Sequence, residues 1–126
     1  AAGLGSVVNL YRTIGYYDRI IHFMSGVLLA EAGRLIAVSL LEKNGGKPLA
    51  SVTLLFAVVF SFAAAGFWEI YEFTMDQLAG TNMQGNNLNT MGDIVCGFLG
   101  GLVYGGVACA VRLSQRRKKR SIRAGI

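Results

Sequence analysis

The chain has 126 residues, of which 53% are hydrophobic and only 15% are charged, and its mean hydropathy is +0.48. Soluble domains carry about 25% charged residues, so this composition excludes an ordinary soluble domain and indicates a membrane protein. The formal net charge is +5, and most of the cations lie at the C-terminal end, between Arg112 and Arg123.

Three apolar stretches, at residues 17–41, 48–78 and 90–113, are each long enough to cross about 30 Å of hydrocarbon as a helix. A hydrophobic span must satisfy its own backbone hydrogen bonds, so each stretch is predicted to be helical. The predicted fold is therefore all-α, a polytopic bundle with three transmembrane helices. Residues 1–16 are predicted to be an interfacial segment or the tail of an upstream helix, and residues 114–126 a basic cytoplasmic tail.

The basic run at residues 116–120 directly follows the third predicted span. A nucleic-acid-binding tail is one interpretation, but a basic run in this position is more typical of a topological anchor on the cytoplasmic face. We therefore expect no nucleic-acid partner and a cytoplasmic C-terminus, with the loop at 79–89 on the external side. Because the chain begins at Ala1 and not at Met, we also expect further helices upstream.

The first predicted helix combines polar and small residues on one face and an acid–base pair on another. The first face repeats at helical spacing through Asp18, His22 and Gly26. Small residues let a neighbouring backbone approach closely, so this face is predicted to meet another helix. Glu31 and Arg34 lie near the middle of the span. They are expected to face an upstream helix, a second copy or a water-filled cavity, or else to neutralise each other while Arg34 extends toward the interface.

The second predicted helix ends in three carboxylates. Glu69, Glu72 and Asp76 are spaced i, i+3 and i+7, which puts them on one stripe of a helix. Phe62 and Gly66 are expected to continue that stripe toward the middle of the membrane. Charged groups in a membrane span are costly without a partner or water, so this stripe is a candidate functional site.

The third predicted helix follows a short loop rich in Gly and Asn. Residues 90–93 match a capping box with Asp93 in the position of the usual Glu, which predicts a helix start at this point. Asp93 then heads a series of glycines at four-residue intervals, which is typical of close helix packing. The predicted packing glycines of the chain are Gly26, Gly97, Gly101 and Gly105.

Alternating helix directions bring the start of the first helix, the end of the second and the start of the third to one side of the membrane. A histidine and several carboxylates would suit a divalent Zn, Mn, Fe or Mg ion. The predicted metal ligands are His22, Glu69, Glu72, Asp76 and Asp93, with Asp18 and Arg19 in support. Glu69 or Glu72 would be the catalytic base if chemistry occurs, and whether the protein is an enzyme stays open.

Other interpretations of the same residues remain open. Asp18 and Asp93 are equally consistent with helix caps, and His22 with a hydrogen-bond partner for Asp18 or Glu69. Without a metal, closely spaced carboxylates would share protons, as a proton- or cation-coupled transporter or channel subunit requires. A structural membrane subunit, in which the carboxylates only hold helices together, is the third alternative.

Three motifs in order resemble a known family. They are DxxxHFxxG starting at Asp18, WExxE starting at Trp68, and TxGD starting at Thr90. As a set they resemble the YjdF-like family of bacterial integral-membrane proteins, which is grouped loosely with the VanZ-like superfamily. The resemblance implies a multi-pass protein of the bacterial cytoplasmic membrane with extra upstream helices, and the VanZ-like branch is associated with glycopeptide tolerance and the cell envelope.

These observations together predict a divalent-cation site near the external leaflet that binds an envelope or lipid-headgroup substrate. Three helices are few to enclose a cavity. A homo-oligomer or additional transmembrane helices are therefore expected, with membrane lipid as a further partner.

Overall fold

The computed structural model describes residues 16–125, so all but the last residue of the predicted interfacial segment lies outside the described residues. Three α-helices account for most of residues 16–125, and no strand occurs there. They are α1 (Tyr17–Lys43), α2 (Ala50–Ala79) and α3 (Asn87–Arg123). All three are long and apolar enough to cross a membrane, which confirms the predicted all-α fold with three spans.

The structure corrects the predicted start of the third helix. Helix α3 begins at Asn87, because the side-chain oxygen of Asn86 accepts a hydrogen bond from the backbone N–H of Asn89 at 3.0 Å. Asn86 is therefore the N-cap, and the predicted capping box at residues 90–93 lies inside the first turns of the helix. Asp93 is thus not needed as a cap and turns toward the other two helices, where it is fully buried.

Each helix packs against the other two through a face of small and polar residues. The buried residues recur at spacings of three or four on every helix, while many large apolar side chains are exposed on the outside of the bundle. This pattern is expected of helices that meet in lipid, where close backbone approach and polar contacts replace the hydrophobic effect. The buried residues are His22, Gly26, Ala30, Gly33 and Ala37 in α1, Thr53, Ala57, Ser61, Ala65, Glu69 and Glu72 in α2, and Asp93, Gly97, Gly100 and Gly101 in α3.

Ser61 of α2 is fully buried and contacts both of the other helices. Its hydroxyl oxygen is 2.9 Å from the carbonyl oxygen of Gly26 and 3.3 Å from that of Gly97, so it joins α2 to both other helices. A Cβ atom on Gly26 would overlap the carbonyl oxygen of Gly97, and one on Gly101 would lie 2.8 Å from the Ser61 hydroxyl. Gly105, nearer the other end of α3, has looser surroundings, with a built Cβ 3.0 Å from Val58 Cγ2.

The buried stripe of α2 differs from the predicted one. It continues from Glu69 through Ala65 and Ser61, at intervals of four residues, and not through Gly66 and Phe62. Phe62 is 48% exposed, and its ring packs edge-on against Phe98 with centroids 5.1 Å apart. Gly97 and Gly101 of α3 lie against Ala65 and Ser61 of α2, where only small residues fit. The large Phe62 ring therefore lies at the edge of the contact.

Glu31 and Arg34 form an ion pair near the middle of α1. Nε and Nη2 of Arg34 donate to the two carboxylate oxygens of Glu31 at 2.8 and 2.7 Å. The hydroxyl of Tyr104, on α3, accepts a hydrogen bond from Arg34 Nε at 2.9 Å and donates one to Glu31. The pair is therefore neutralised within the chain, and Tyr104 connects it to a second helix.

Candidate metal centre

Five ionisable side chains meet at one end of the bundle, where α1 begins, α2 ends and α3 begins. We call them the polar cluster: Asp18, His22, Glu69, Glu72 and Asp93. Four of them are buried, with 8% of the His22 side chain exposed, 3% of Glu69 and of Glu72, and none of Asp93. The connectivity of three alternating helices thus brings groups from distant parts of the sequence together, as predicted.

Asp18, His22 and Asp93 form a group that could hold a metal ion. One potential ligand atom from each lies within 4.8 Å of the others. Nε2 of His22 is 3.7 Å from Oδ1 of Asp18, and ligands about 2.1 Å from a tetrahedral Zn would be roughly 3.4 Å apart. A side-chain movement of a few tenths of an ångström would therefore bring the His22 and Asp18 atoms to ligand spacing, and Asp93, within 4.8 Å of both, would have to move by up to about 1.4 Å.

Asn89 holds two of these carboxylates in place. Its side-chain N–H group donates to Oδ2 of Asp93 at 2.7 Å and lies 3.4 Å from Oδ2 of Asp18. The other oxygen of Asp18 is the one nearest His22, and Oδ1 of Asp93 has no hydrogen-bond partner among residues 16–125. Sequence analysis missed Asn89, although its position one helical turn before Asp93 is a signal for an i, i+4 contact.

The two buried glutamates have different surroundings. Glu72 accepts a hydrogen bond from the indole N–H of Trp68 at 2.8 Å. Neither oxygen of Glu69 accepts a hydrogen bond of full geometry from the described part of the chain; the Thr90 hydroxyl and the His22 ring, 3.8 Å away, interact with it more weakly. Glu69 therefore has both carboxylate oxygens available to a ligand or a proton, whereas Asp93 has one.

The polar cluster carries more negative than positive groups. Four carboxylates interact electrostatically in this region, and the cations beside them within the described residues are Arg19 and, when protonated, His22. The Arg19 guanidinium lies beside Gly92 and interacts electrostatically with Asp93. Its Nε atom is buried and has no hydrogen-bond partner among the described residues. Several carboxylates in a low-dielectric site require a metal ion or shared protons.

Asp76 lies outside the three-ligand group. Its carboxylate accepts hydrogen bonds from the Thr81 hydroxyl at 2.5 Å, from the Met83 N–H at 2.7 Å and from the Gln84 N–H at 3.0 Å. The carboxylate thus organises the loop between α2 and α3. Compared with the predicted ligand set, the structure brings Asp18 close to His22. The Asp76 carboxylate, near the end of α2, is bound by donors of the loop instead.

This placement predicts that Asp76→Ala loosens the loop and leaves metal content unchanged. The Asp76 carboxylate accepts hydrogen bonds from the Met83 and Gln84 amides, so both amides should exchange hydrogen faster in the variant. Hydrogen exchange read by mass spectrometry on purified protein measures this rate. Unchanged exchange, or loss of a bound metal, would contradict the loop role of Asp76.

A groove between α1 and α2 adjoins the polar cluster. Its volume is about 600 Å³, and it extends from Asp18 and His22 along both helices to Ser61. Its walls are mostly apolar, and they include Leu28 and Trp68, which are 69% and 51% exposed on the outer surface of the bundle. The α1–α2 groove is therefore polar at one end and reaches the surface that faces lipid.

These features define a membrane protein of three helices with a buried acidic and histidine cluster at one end. The chain belongs to the family described as "Predicted membrane protein (DUF2238)", which it matches over residues 3–115. No curated protein and no solved structure shows significant similarity to it. The predicted YjdF-like and VanZ-like relationship, and the bacterial origin, stay predictions.

Proposed function

We propose that Asp18, His22 and Asp93 bind one divalent cation and present it to the headgroup of a lipid held in the α1–α2 groove. The observation that carries this proposal is the close approach of three potential ligand atoms, within 4.8 Å of one another, beside the buried carboxylate of Glu69. Three protein ligands leave at least one coordination position open, which is typical of catalytic and substrate-binding metal sites.

The ligand types narrow the choice of ion. One imidazole nitrogen and two carboxylate oxygens suit Zn, Mn or Fe, whereas Mg prefers oxygen ligands and retains several waters. Glu69 lies beside the imidazole, 3.8 Å from Nε2 of His22, so it would serve as a fourth ligand or as the base for a metal-bound water. Glu72, fixed by Trp68, would add negative charge to the site.

The α1–α2 groove supports a lipid as the molecule that meets this ion. A lipid tail fits an apolar groove that is open to the hydrocarbon, and its headgroup would then lie at the polar end, next to Asp18 and His22. The basic end of α3 favours a cytoplasmic C-terminus, which would place the polar cluster near the external leaflet of the bacterial inner membrane. A second copy or further helices would complete the walls of the groove.

Metal content tests the cation site directly. Elemental mass spectrometry of protein purified without chelator should find close to one ion per chain. Asp93→Asn should lower the metal affinity at least about tenfold, since loss of an outer-shell partner alone typically costs that much, and the purified variant should retain little metal. Glu42→Gln removes one exposed carboxylate at the opposite end of α1 and is the matched control. Absence of metal from the wild type, or equal loss in both variants, would overturn the proposal.

Proton-coupled transport is the second candidate function. It is favoured by the mutual electrostatic interaction of Glu69, Glu72 and Asp93, because neighbouring carboxylates titrate as one coupled group. A metal-free wild type that takes up protons in liposomes, with uptake lost in Glu69→Gln, would favour this function. If Glu69→Gln changes neither proton uptake nor metal content, a structural role of the polar cluster is the remaining explanation.

A further inference from the structure

A basic cavity lies at the opposite end of the bundle from the polar cluster. Helix α3 continues past its apolar part to Arg123, and three of its cations share one face at spacings i, i+4 and i+7: Arg112, Arg116 and Lys119. Together with Gln115 they line a cavity of about 280 Å³ against Ala50, the first residue of α2. Nothing in the proposed metal centre uses these residues.

The cavity lacks an anion from the chain itself. No Asp or Glu is among its lining residues. Of the seven acidic residues within 16–125, five belong to the polar cluster or pair with Arg34, and Asp76 binds the loop at the other end. The seventh, Glu42 at the end of α1, forms no ion pair with the cavity cations among the described residues. Three cations on one helical face repel each other unless an anion lies between them, so charge complementarity calls for an anion from outside the chain.

The position of the cavity indicates which kind of anion it would bind. Ala50 begins a helix that is apolar enough to span the membrane, so the cavity lies where α2 and α3 leave the hydrocarbon and meet the headgroups. We propose that this cavity binds the phosphate of an anionic phospholipid. Two guanidinium groups match phosphate in bidentate geometry, Lys119 adds a point charge, and the Gln115 amide can donate a further hydrogen bond.

The basic helix supplies its own matched control. Arg117, Lys118 and Arg120 carry the same charge on the same stretch of α3 but do not line the cavity. A cavity triple variant (Arg112→Gln, Arg116→Gln, Lys119→Gln) and a control triple variant (Arg117→Gln, Lys118→Gln, Arg120→Gln) therefore lose equal charge. If the lipid bound a diffuse basic surface, both triple variants would lose the same affinity. If it binds the cavity, only the cavity triple variant loses affinity.

Native mass spectrometry of the full chain, titrated with phosphatidylglycerol or phosphatidylcholine in detergent, measures the affinity for each lipid. The wild type should bind phosphatidylglycerol more tightly than phosphatidylcholine. One juxtamembrane cation contributes about fivefold in affinity, so the cavity triple should bind about 100-fold more weakly and the control triple within about threefold of wild type. If the cavity triple does not fold, Arg116→Gln alone should weaken binding about fivefold against Arg117→Gln. Equal losses in the paired variants, or no preference for phosphatidylglycerol, would overturn the proposal.

Discussion

Gly100→Ala is expected to push α3 away from α1 and to destabilise the bundle by about 3 kcal/mol, the upper range for overpacking a close contact. A Cβ atom at this position would overlap the carbonyl oxygen of Phe23 and lie 3.0 Å from the backbone nitrogen of Val27. Both atoms belong to the backbone of α1, so no side chain can rotate to make room. Reversible denaturation in mixed micelles, followed by far-ultraviolet circular dichroism, measures the change in the free energy of unfolding.

Gly106→Ala is the control for this prediction. Gly106 lies on the same helix, but a built Cβ meets nothing within 4 Å. Alanine is a better helix former than glycine by up to about 1 kcal/mol, so this variant should be neutral or slightly more stable. Similar destabilisation by both substitutions would show that glycine flexibility, and not close helix approach, is what α3 requires.

The importance of Gly100 illustrates what the sequence could not reveal about packing. The sequence shows a regular series of glycines at four-residue spacing: Gly97, Gly101 and Gly105. Such a series predicts contact with one partner helix. Helix α3 meets two helices: Gly101 faces Ser61 of α2, whereas Gly100 faces the backbone of α1. The direction of the second contact depends on how the three helices cross, and a periodic pattern in one segment does not contain that information.

The existence and order of the helices were predictable because apolar length alone determines which segments can span hydrocarbon. The start of α3 was not predictable, because Asn86 and Thr90 are both acceptable N-cap residues and the conformation of the loop decides between them. That choice matters for the site. A helix that begins at Asn87 places Asn89 inside its first turn, one turn before Asp93, where its amide can reach two carboxylates.

The meeting of α1, α2 and α3 at the polar cluster follows from connectivity, but the role of each carboxylate does not. Glu69, Glu72 and Asp76 share a stripe by spacing, yet the last of them is close enough to the end of α2 to reach the N–H groups of the loop. The path of the loop decides whether the Asp76 carboxylate binds backbone N–H groups or faces the buried cluster. The pattern therefore predicted at which end of the bundle the polar side chains gather, and not which of them contact one another.

Glu69→Gln is expected to make the metal-free protein more stable, by about 1–3 kcal/mol, the cost of a buried polar group without a partner. Glu69 is 3% exposed, and neither of its oxygens accepts a full hydrogen bond within residues 16–125. Glutamine keeps the shape, removes the charge and adds two N–H donors beside Glu72 and Asp93. With chelator present, denaturation in mixed micelles should thus require harsher conditions for the variant than for the wild type.

Addition of the metal should narrow or reverse this difference in stability, because a ligand at 100 times its dissociation constant stabilises the folded state by about 2.7 kcal/mol. The wild type should gain this stabilisation, and the variant, with its site weakened, should gain less. Glu31→Gln is the matched control: it leaves Arg34 without its carboxylate partner, so it should lower stability by about 2 kcal/mol with or without metal. If Glu69→Gln instead destabilises the metal-free protein, the buried carboxylate holds the helices together, and the structural alternative explains the cluster better than a cation site.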